Sequence, residues 1–281
     1  MKNASDKESA ALVFLYRTMP GRMLLKLLIG RRLSQAAGRF LSSSASVPLI
    51  EPFIRKNSID LADYETERYS CFNDFFCRRI RPEKRPLPDN PVALMAPCDG
   101  LLSAYRITEG TVLPIKQSRY TISELLGMDP VAQNYRDGIC LVFRLCVDNY
   151  HRYCYLDDGQ KGENVFLPGM LHTVRPIALE SVPVFVRNCR EYTVMETEHF
   201  GTVTQVEVGA LLVGRIDNRQ GAGLIRRGEE KGRFLYGGST IVVLLEKDRA
   251  VVDEAFFDAT ANGTETSVVM GQVLGRANPN A

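Results

Sequence analysis

The sequence predicts an α+β protein in which a helical N-terminal region precedes a β-rich domain of short, mostly antiparallel strands. Two observations lead to this fold class. Before residue 88 apolar side chains recur at helical spacing, and the phenylalanines that begin at Phe72 share one helical face suited to a core. After residue 91 the apolar runs are short, rich in Val, Leu and Ile, and separated by glycine. Because proline, aspartate and asparagine cluster at 86–91, we predict two regions, 1–88 and 89–281.

The N-terminal region is strongly basic and is predicted to lie on a membrane surface. Residues 1–56 carry ten basic and three acidic side chains, whereas the whole chain has a formal net charge of +2. Within 10–43 basic residues interleave with leucines, and no uncharged run approaches the ~20 residues of a transmembrane helix. We predict a helix lying on an anionic bilayer, with a helix packed on its own domain as the alternative. Further short helices are predicted at 49–54 and 61–65.

The second region shows the patterning of many short strands. The segment 120–127 is an exception, predicted as one short helix that Thr121 or Ser123 caps and Gly127 ends. Residues 260–281 are polar and glycine-rich, and few of them are expected to pack. The predicted strands are 92–96, 100–107, 111–115, 139–147, 182–186, 192–196, 201–208, 210–216 and 241–246.

Composition and cysteine spacing limit the class of protein. A hydrophobic content of 45% with 24% charged residues is typical of a globular chain. The seven cysteines form no paired framework, so we expect reduced thiols in a cytosolic setting. His151 and Cys154 could supply two metal ligands, but nothing obvious supplies the others, and no metal site is expected. We expect no nucleic-acid partner.

The sequence around Ser239 is a candidate reactive site. Gly237 and Gly238 separate the apolar runs 234–236 and 241–245, and two glycines permit a sharp turn with torsions that other residues avoid. Such a turn places the Ser239 hydroxyl against the carbonyl of Gly238, a geometry suited to attack on the preceding peptide bond. An ordinary hairpin turn is the commoner meaning of this pattern.

Two other motifs carry groups suited to acid–base chemistry. APCDG (96–100) puts Asp99 in a turn between strands, and DNYHRY (148–153) puts His151 after a strand. An imidazole transfers protons near neutral pH. The alternatives are an aspartate that caps a turn and a histidine bonded within the core.

Other polar residues have weaker claims to function. The basic segment 78–85 contacts either an anionic phosphate or solvent. Lys116 is either an exposed lysine or a ligand for a phosphate or a substrate carboxylate. His172 and His199 are interpreted as structural or surface residues.

Several of these motifs occur in a fixed order along nearly the whole chain. They are NDFFCRRIRPEKRPL (73–87), APCDG (96–100), IKQSRYTISELLG (115–127), DNYHRY (148–153), LHTVRPIA (171–178), VGALLVG (208–214) and the Gly-Ser-Thr site. Together they resemble the phosphatidylserine decarboxylases. The resemblance implies a proenzyme that cuts itself between Gly238 and Ser239. Its products would be chains 1–238 and 239–281, the second beginning with a pyruvoyl group made from Ser239.

The resemblance also implies a reaction and a location. The pyruvoyl ketone would form a Schiff base with the amine of phosphatidylserine and take up the electrons left by departing CO₂, giving phosphatidylethanolamine without a metal or pyridoxal phosphate. The partners would be phosphatidylserine, an anionic membrane surface at the cytoplasmic side of the cell membrane and the protein's own two chains, with a homodimer left open. The alternatives are a pyruvoyl-dependent decarboxylase of a soluble amino acid or another serine-headed lipid, and a non-catalytic membrane-bound relative.

The chain departs from the family's pattern at Cys154. Members commonly carry a second histidine at this position, paired with the aspartate that corresponds to Asp99. Three hypotheses stay open: His151 serves both processing and decarboxylation, Cys154 or Asp157 substitutes in part, or processing is impaired. We favour the first, because a neutral thiol is a far weaker base unless its pKa is lowered. The resemblance thus assigns catalysis to Ser239, His151 and Asp99.

Overall fold

The computed structural model describes residues 31–65, 68–115, 118–171, 186–209, 215–236 and 239–280. Several predicted features lie outside these ranges. They are residues 1–30 of the basic N-terminal region, Lys116, His172, Gly237, Gly238 and most of the strands predicted at 182–186 and 210–216.

The helices of the described chain are short. Three 3-10 turns accompany them, at Ser44–Leu49, Pro82–Lys84 and Pro130–Tyr135. Within the described ranges, none of the helices combines the length and the apolar character that crossing a bilayer requires. The α-helices are α1 (Arg31–Leu41), α2 (Ile50–Asn57), α3 (Phe72–Phe76), α4 (Ile122–Leu125) and α5 (Glu254–Ala261).

Helix α4 confirms the short helix predicted within 120–127. Thr121 is its N-cap, and Glu124 completes a capping box. The Glu124 N–H donates to Thr121 Oγ1 at 3.2 Å, and the Thr121 N–H donates to Glu124 Oε2 at 3.0 Å. These local bonds satisfy backbone donors that the first helical turn leaves unpaired.

Helix α3 is the centre of a small aromatic core. Phe72, Phe75 and Phe76 are buried against Ile50 of α2 and against Ile59, which confirms the predicted core face. Cys71 caps the helix, its sulfur accepting the Asp74 N–H at 3.4 Å. The helix is therefore held both locally and by packing.

The helix predicted at 61–65 is wrong. Tyr64 instead forms an isolated antiparallel bridge with Ile80, and the Glu65 N–H donates to the Arg79 carbonyl at 2.9 Å. Five residues are too few to offset the cost of starting a helix, so pairing with a distant segment is the stronger alternative. The Tyr64 ring packs beside Ile80 and Tyr150.

Nineteen strands form the framework of the described second region. All pairings between them are antiparallel, as predicted. The strands are β1 (Ala93–Met95), β2 (Gly100–Arg106), β3 (Leu113–Ile115), β4 (Ser118–Tyr120), β5 (Ile139–Leu145), β6 (Arg152–Cys154), β7 (Gly159–Lys161), β8 (Val165–Leu167), β9 (Met170–Leu171), β10 (Val186–Arg187), β11 (Arg190–Thr197), β12 (Gly201–Val208), β13 (Ile216–Asn218), β14 (Gly223–Ile225), β15 (Glu230–Phe234), β16 (Ser239–Leu245), β17 (Ala250–Val252), β18 (Thr266–Val268) and β19 (Val273–Ala277).

One large sheet organises the region. Its strand order is β14-β7-β11-β12-β16-β5-β2-β18, and β8 also pairs with β11. Two three-stranded sheets, β1-β19-β17 and β13-β15-β6, and the hairpins β3-β4 and β9-β10 complete the described pairings. The mixture of helices and antiparallel sheets confirms the α+β class.

Strand β16 is central in this sheet and is buried along its whole length. Ile241, Val243 and Leu245 face one hydrophobic cluster, while Val242 and Leu244 face another on the opposite side. Side chains alternate between the two faces of a strand, so a strand covered on both faces needs an unbroken apolar run. This explains why its sequence shows no polar alternation.

The C-terminal segment packs more closely than its composition suggests. No element was predicted for 260–281, yet β18 pairs with β2, and β19 lies between β1 and β17. Leu274 of β19 is buried in the main core. A few apolar residues are enough to pack this segment, because the strands beside β18 and β19 supply the rest of the apolar surface that covers the core.

Candidate active site

Ser239 is the first residue of β16 and is 2% exposed. It pairs with Leu145 at the end of β5, and Thr240 pairs with Val208 on the other side. The peptide bond before Ser239 begins at Gly238, outside the described residues. Ser239 is therefore part of a buried strand that is paired with a neighbouring strand on each side.

Asp99 lies at the same end of the large sheet. Leu101 of β2 pairs with Arg144 of β5, so the register carries Gly100 to the level of Leu145, opposite Ser239. Adjacent strands are about 4.8 Å apart, which puts the backbones of Ser239 and Gly100 about 10 Å apart. Asp99 immediately precedes Gly100.

His151 reaches this end through a tight turn after β5. The Cys146 N–H donates to Asn149 Oδ1 at 2.7 Å, and the Asn149 N–H donates to the Cys146 carbonyl at 3.0 Å. The chain then enters β6 at Arg152. The fold thus brings Ser239, Asp99 and His151 to the same end of the large sheet.

The His151 imidazole is neutral. Burial, with a smaller contribution from the nearby Arg78 cation, lowers its pKa to about 3. Its Nδ1 is 2.9 Å from the Asn149 carbonyl oxygen, which can only accept, so Nδ1 carries the proton. The ring also stacks on Phe76, with centroids 3.9 Å apart. Nε2 is consequently the nitrogen whose lone pair can accept a proton.

Asp99 is held in a buried ion pair that the sequence did not reveal. Arg85 donates from Nε to Oδ1 at 2.8 Å and from Nη2 to Oδ2 at 2.6 Å. The Met270 N–H also donates to Oδ1, at 2.8 Å. Within the basic segment 78–85, this arginine therefore neutralises a site carboxylate, which was neither of the two alternatives weighed for that segment.

Cys154 does not replace an imidazole. Its thiol donates to the Pro97 carbonyl, with Sγ 3.5 Å from the oxygen, and burial raises its pKa to about 12. A thiol with this pKa stays protonated at neutral pH and is a poor base. Among the described residues the Asp99 carboxylate bonds to Arg85 and Met270 rather than to Cys154.

Asp157 belongs to a different part of the molecule. Its Oδ2 accepts the His199 N–H at 2.8 Å, and its Oδ1 is 2.9 Å from His199 Nδ1. His199 lies in the turn before β12, whereas Ser239 lies beside the far end of that strand, about 20 Å away at ~3.4 Å per residue. The structure therefore places Asp157 far from Ser239 and bonds it to His199, which was interpreted as a structural or surface residue.

The family model for phosphatidylserine decarboxylase matches residues 72–276. The chain belongs to the phosphatidylserine decarboxylase family. This confirms the resemblance that the motifs suggested. Ser239, Asp99 and His151 all lie within the matched residues.

Curated relatives support the same assignment over almost the full length. "Phosphatidylserine decarboxylase proenzyme 2" of Clostridium acetobutylicum is 43% identical over 272 residues, which cover 96% of this chain and 93% of the relative. "Phosphatidylserine decarboxylase proenzyme" of Ruminiclostridium cellulolyticum is 38% identical over 267 residues, 93% of this chain and 89% of the relative. The corresponding protein of Clostridium botulinum strain Alaska E43 is 35% identical, covering 92% and 90%.

Arg78 is a residue of this decarboxylase-family site that sequence reasoning missed. It is 2% exposed, and its Nη2 donates to the Asp148 carbonyl at 2.7 Å and to the Tyr64 hydroxyl at 3.2 Å. Its guanidinium carbon lies 4.3 Å from the centre of the Tyr64 ring. Five basic residues stand close together in the sequence here, and local pattern could not show which one is buried.

Replacing Arg78 by lysine is expected to lower the melting temperature by several degrees and to slow processing. The guanidinium joins the segment that carries His151 to Tyr64, and hydrogen bonds from a charged donor contribute about 1.5–3 kcal/mol. Thermal unfolding and the fraction of cut chain measure the two effects. Arg79→Lys is the matched control, because Arg79 is exposed; equal behaviour of the two variants would contradict the prediction.

Because His151 is buried and neutral, we expect the protein to lose folding stability in mild acid. In the unfolded chain histidine takes up a proton below about pH 6.5, whereas the folded imidazole stays neutral down to about pH 3. The unfolded state therefore binds more protons in this range, and the free energy of unfolding falls as the pH falls from about 6.5 toward 3. Denaturant titrations at pH 7 and pH 5, made in the Ser239→Ala background so that every protein is one uncut chain, should show a larger loss with His151 present than with His151→Gln. His199→Gln is the control and should lose as much stability as the protein that keeps both histidines. An equal loss of unfolding free energy with and without His151 would contradict the prediction.

Another cluster missed from sequence is a buried ion pair between Glu207 and Lys231. Lys231 Nζ is 2.9 Å from both carboxylate oxygens, and the two side chains are 0% and 1% exposed. Gln205 and Asn218 donate to the same carboxylate at 3.0 and 2.9 Å. Glu207 pairs across the sheet with Ile241, two residues after Ser239 and on the same face. The pair therefore supports the strand that begins with the reactive serine.

Proposed function

We propose that this protein decarboxylates phosphatidylserine to phosphatidylethanolamine, using a pyruvoyl group that it makes from its own Ser239. The observation that carries the proposal is the position of Ser239. In a chain of this family, this serine is the first residue of a buried strand, at the end of the sheet where the neutral His151 lies. Soluble amino acids and other serine-headed lipids remain the alternative substrates to be tested.

The proposed processing begins with attack by Ser239 Oγ on the carbonyl carbon of Gly238. A C–O bond forms, the C–N bond breaks, and the nitrogen gains a proton, so that the peptide becomes an ester. His151 Nε2 accepts the hydroxyl proton in this step, because a serine hydroxyl is a weak nucleophile without a base. Removal of the Ser239 α-proton expels the Gly238 carboxylate and leaves dehydroalanine, which water converts to the ketone with release of ammonia.

The residues present fit a pyruvoyl group at position 239. After cleavage this residue would still be the first of β16, with Leu145 beside it and apolar layers on both faces of the strand. When formed, the group supplies an electrophile for the substrate amine and a sink for the electrons left by CO₂. A buried position excludes bulk water from this chemistry.

His151 is the proposed proton carrier for decarboxylation as well. Of the two histidines in the described chain, His199 lies at the opposite end of the sheet, bonded to Asp157. In each turnover His151 Nε2 would take up a proton from the substrate ammonium and deliver it to the substrate carbon once CO₂ has left. Arg85 holds the Asp99 carboxylate in place, and we propose that Asp99 contributes negative charge at this end of the sheet.

The basic N-terminal region is proposed to bring the protein to the cytoplasmic side of the cell membrane. Ten basic side chains within residues 1–56 would attract anionic headgroups, and salt screens such attraction. Binding of the full chain to phosphatidylserine vesicles should fall steeply as salt rises from about 0.05 to about 0.5 M. Sedimentation with vesicles measures it. A variant with Arg22, Lys26, Arg31 and Arg32 changed to glutamine should bind less, and salt-independent binding equal to that on neutral vesicles would exclude the proposal.

Release of CO₂ from carboxyl-labelled phosphatidylserine by the purified protein tests the function. We expect labelled CO₂ and phosphatidylethanolamine in equal amounts, and no release from free serine or aromatic amino acids. Release from a free amino acid but not from the lipid would support a soluble substrate. An intact chain that releases CO₂ from none of them would be a non-catalytic relative.

A further inference from the structure

A small cavity lies on the face of the large sheet opposite the core that Ile241 contacts, and Thr240 is the residue of β16 that lines it. Its volume is about 230 Å³. The hydroxyls of Ser103, Tyr105 and Thr240 line it, together with the ion pair between Arg144 and Glu265. Pockets for drug-sized ligands measure about 300–1,000 Å³, so this cavity suits a headgroup rather than a whole lipid.

The Thr240 hydroxyl is an unmatched polar group in this cavity. Thr240 is 2% exposed, and no residue in the described ranges hydrogen-bonds to its Oγ1. A buried hydroxyl without a partner costs free energy, and such groups in native proteins usually have a water or ligand partner. Thr240 directly follows Ser239 and pairs with Arg144 on β5. Because side chains alternate along a strand, the Thr240 hydroxyl leaves β16 on the face opposite the Ser239 side chain, one residue from the reacting backbone.

Arg144 supplies the cation of the cavity. Glu265 occupies one edge of its guanidinium, with Nε 3.0 and 3.1 Å from the two carboxylate oxygens. Nη1 contacts the Cys146 sulfur at 3.6 Å, and sulfur is a weak acceptor. The pair with Glu265 thus orients the guanidinium and leaves Nη1 able to donate to a stronger acceptor. The side chain is 48% exposed, so a ligand can approach it from solvent.

We propose that this cavity binds the phosphodiester of the phosphatidylserine headgroup, with Thr240 Oγ1 and Arg144 as donors. The inference rests on the proposed function. The substrate carboxylate also carries charge, but it leaves as neutral CO₂, so a cation on it would stabilise the ground state more than the transition state. The phosphate keeps its charge throughout. It is only a few covalent bonds from the amine, so an amine bonded at the Cα of residue 239, which lies between the two faces of the sheet, allows the phosphate to reach Thr240.

Binding to the uncut Ser239→Ala proenzyme tests the site without the decarboxylation chemistry. Isothermal titration with sn-glycero-3-phosphoserine should show binding that Thr240→Val weakens about tenfold, because the hydroxyl bonds a charged group. Thr240→Ser should restore it. The double variant Arg144→Gln, Glu265→Gln should also lose it without leaving a lone charge. Thr202→Val, on β12 at the other end of the sheet, is the control and should bind as the parent does.

In the processed enzyme, Thr240→Val should raise the KM for phosphatidylserine about tenfold and change kcat little. Unchanged affinity and unchanged KM in Thr240→Val would overturn the proposal and leave a solvent-filled cavity. Inorganic phosphate that binds as tightly as sn-glycero-3-phosphoserine would also overturn it, because the site would then bind free phosphate rather than a headgroup. If the protein binds the headgroup but releases no CO₂, the proposed function would be refuted, whereas the proposed phosphodiester site would be supported.

Discussion

Changing Ser239 to alanine is expected to leave the 281-residue chain uncut. The parent should appear as chains 1–238 and 239–281, the shorter one with a blocked N-terminus. Alanine lacks the hydroxyl that attacks the Gly238 carbonyl, so the effect is a complete loss of scission rather than a slower rate. Mass spectrometry of the purified proteins distinguishes one species from two.

The controls for this experiment separate chemistry from folding. Ser267→Ala removes an exposed hydroxyl from β18 and should be cut like the parent. Ser239→Thr keeps a hydroxyl but adds a methyl group inside a buried strand, and it should be cut slowly. Scission that survived in Ser239→Ala would show that the cleavage site is elsewhere. Loss of CO₂ release should accompany loss of scission.

Changing Glu207 to glutamine is expected to lower the free energy of unfolding by about 3–5 kcal/mol. The variant leaves the Lys231 ammonium buried beside a neutral amide, and an uncompensated buried charge is strongly destabilising. The measurement is denaturant unfolding of each variant in the Ser239→Ala background, so that one uncut chain unfolds in every case. The matched control is Glu196→Gln, an exposed glutamate on the adjacent strand β11, which should shift stability by less than about 0.5 kcal/mol.

A double variant isolates the ion pair itself. Glu207→Leu with Lys231→Met removes both charges and keeps similar volumes, so it should be more stable than Glu207→Gln. If Glu207→Gln were no less stable than Glu196→Gln, the buried pair would contribute nothing and its support of β16 would be excluded. A double variant as unstable as the single one would show that the hydrogen bonds from Gln205 and Asn218 matter more than the charge.

Much of the fold could be predicted wherever the determining interactions are local. The strand Gly201–Val208 was predicted with its observed bounds, and the α4 capping box follows from a threonine and a glutamate three residues apart. The helix at 61–65 failed because its apolar spacing was satisfied instead by pairing with Ile80. Helix α5 and strand β19 were not predicted, since each presents few buried residues and a weak period.

The sequence singled out the candidate-site residues but did not show their charge partners or their burial. Ser239, His151 and Asp99 stood out as motif members, and the order of the motifs was sufficient to indicate the family. The partner of Asp99 is 14 residues away in the chain and that of Glu207 is 24 residues away. Both separations are much longer than the three or four residues that join neighbours on a helix, so no local rule connects the pairs.

The sequence by itself determined the family and the short antiparallel strands, and it singled out Ser239 as the candidate reactive residue, because these depend on residue order and on side-chain periodicity. The tertiary structure alone decided which groups are charged and which are neutral at the site. Cys154 is a protonated thiol, His151 a neutral imidazole and Thr240 a hydroxyl without a described partner. The physical reason is that desolvation and pairing depend on distances between segments far apart in the chain.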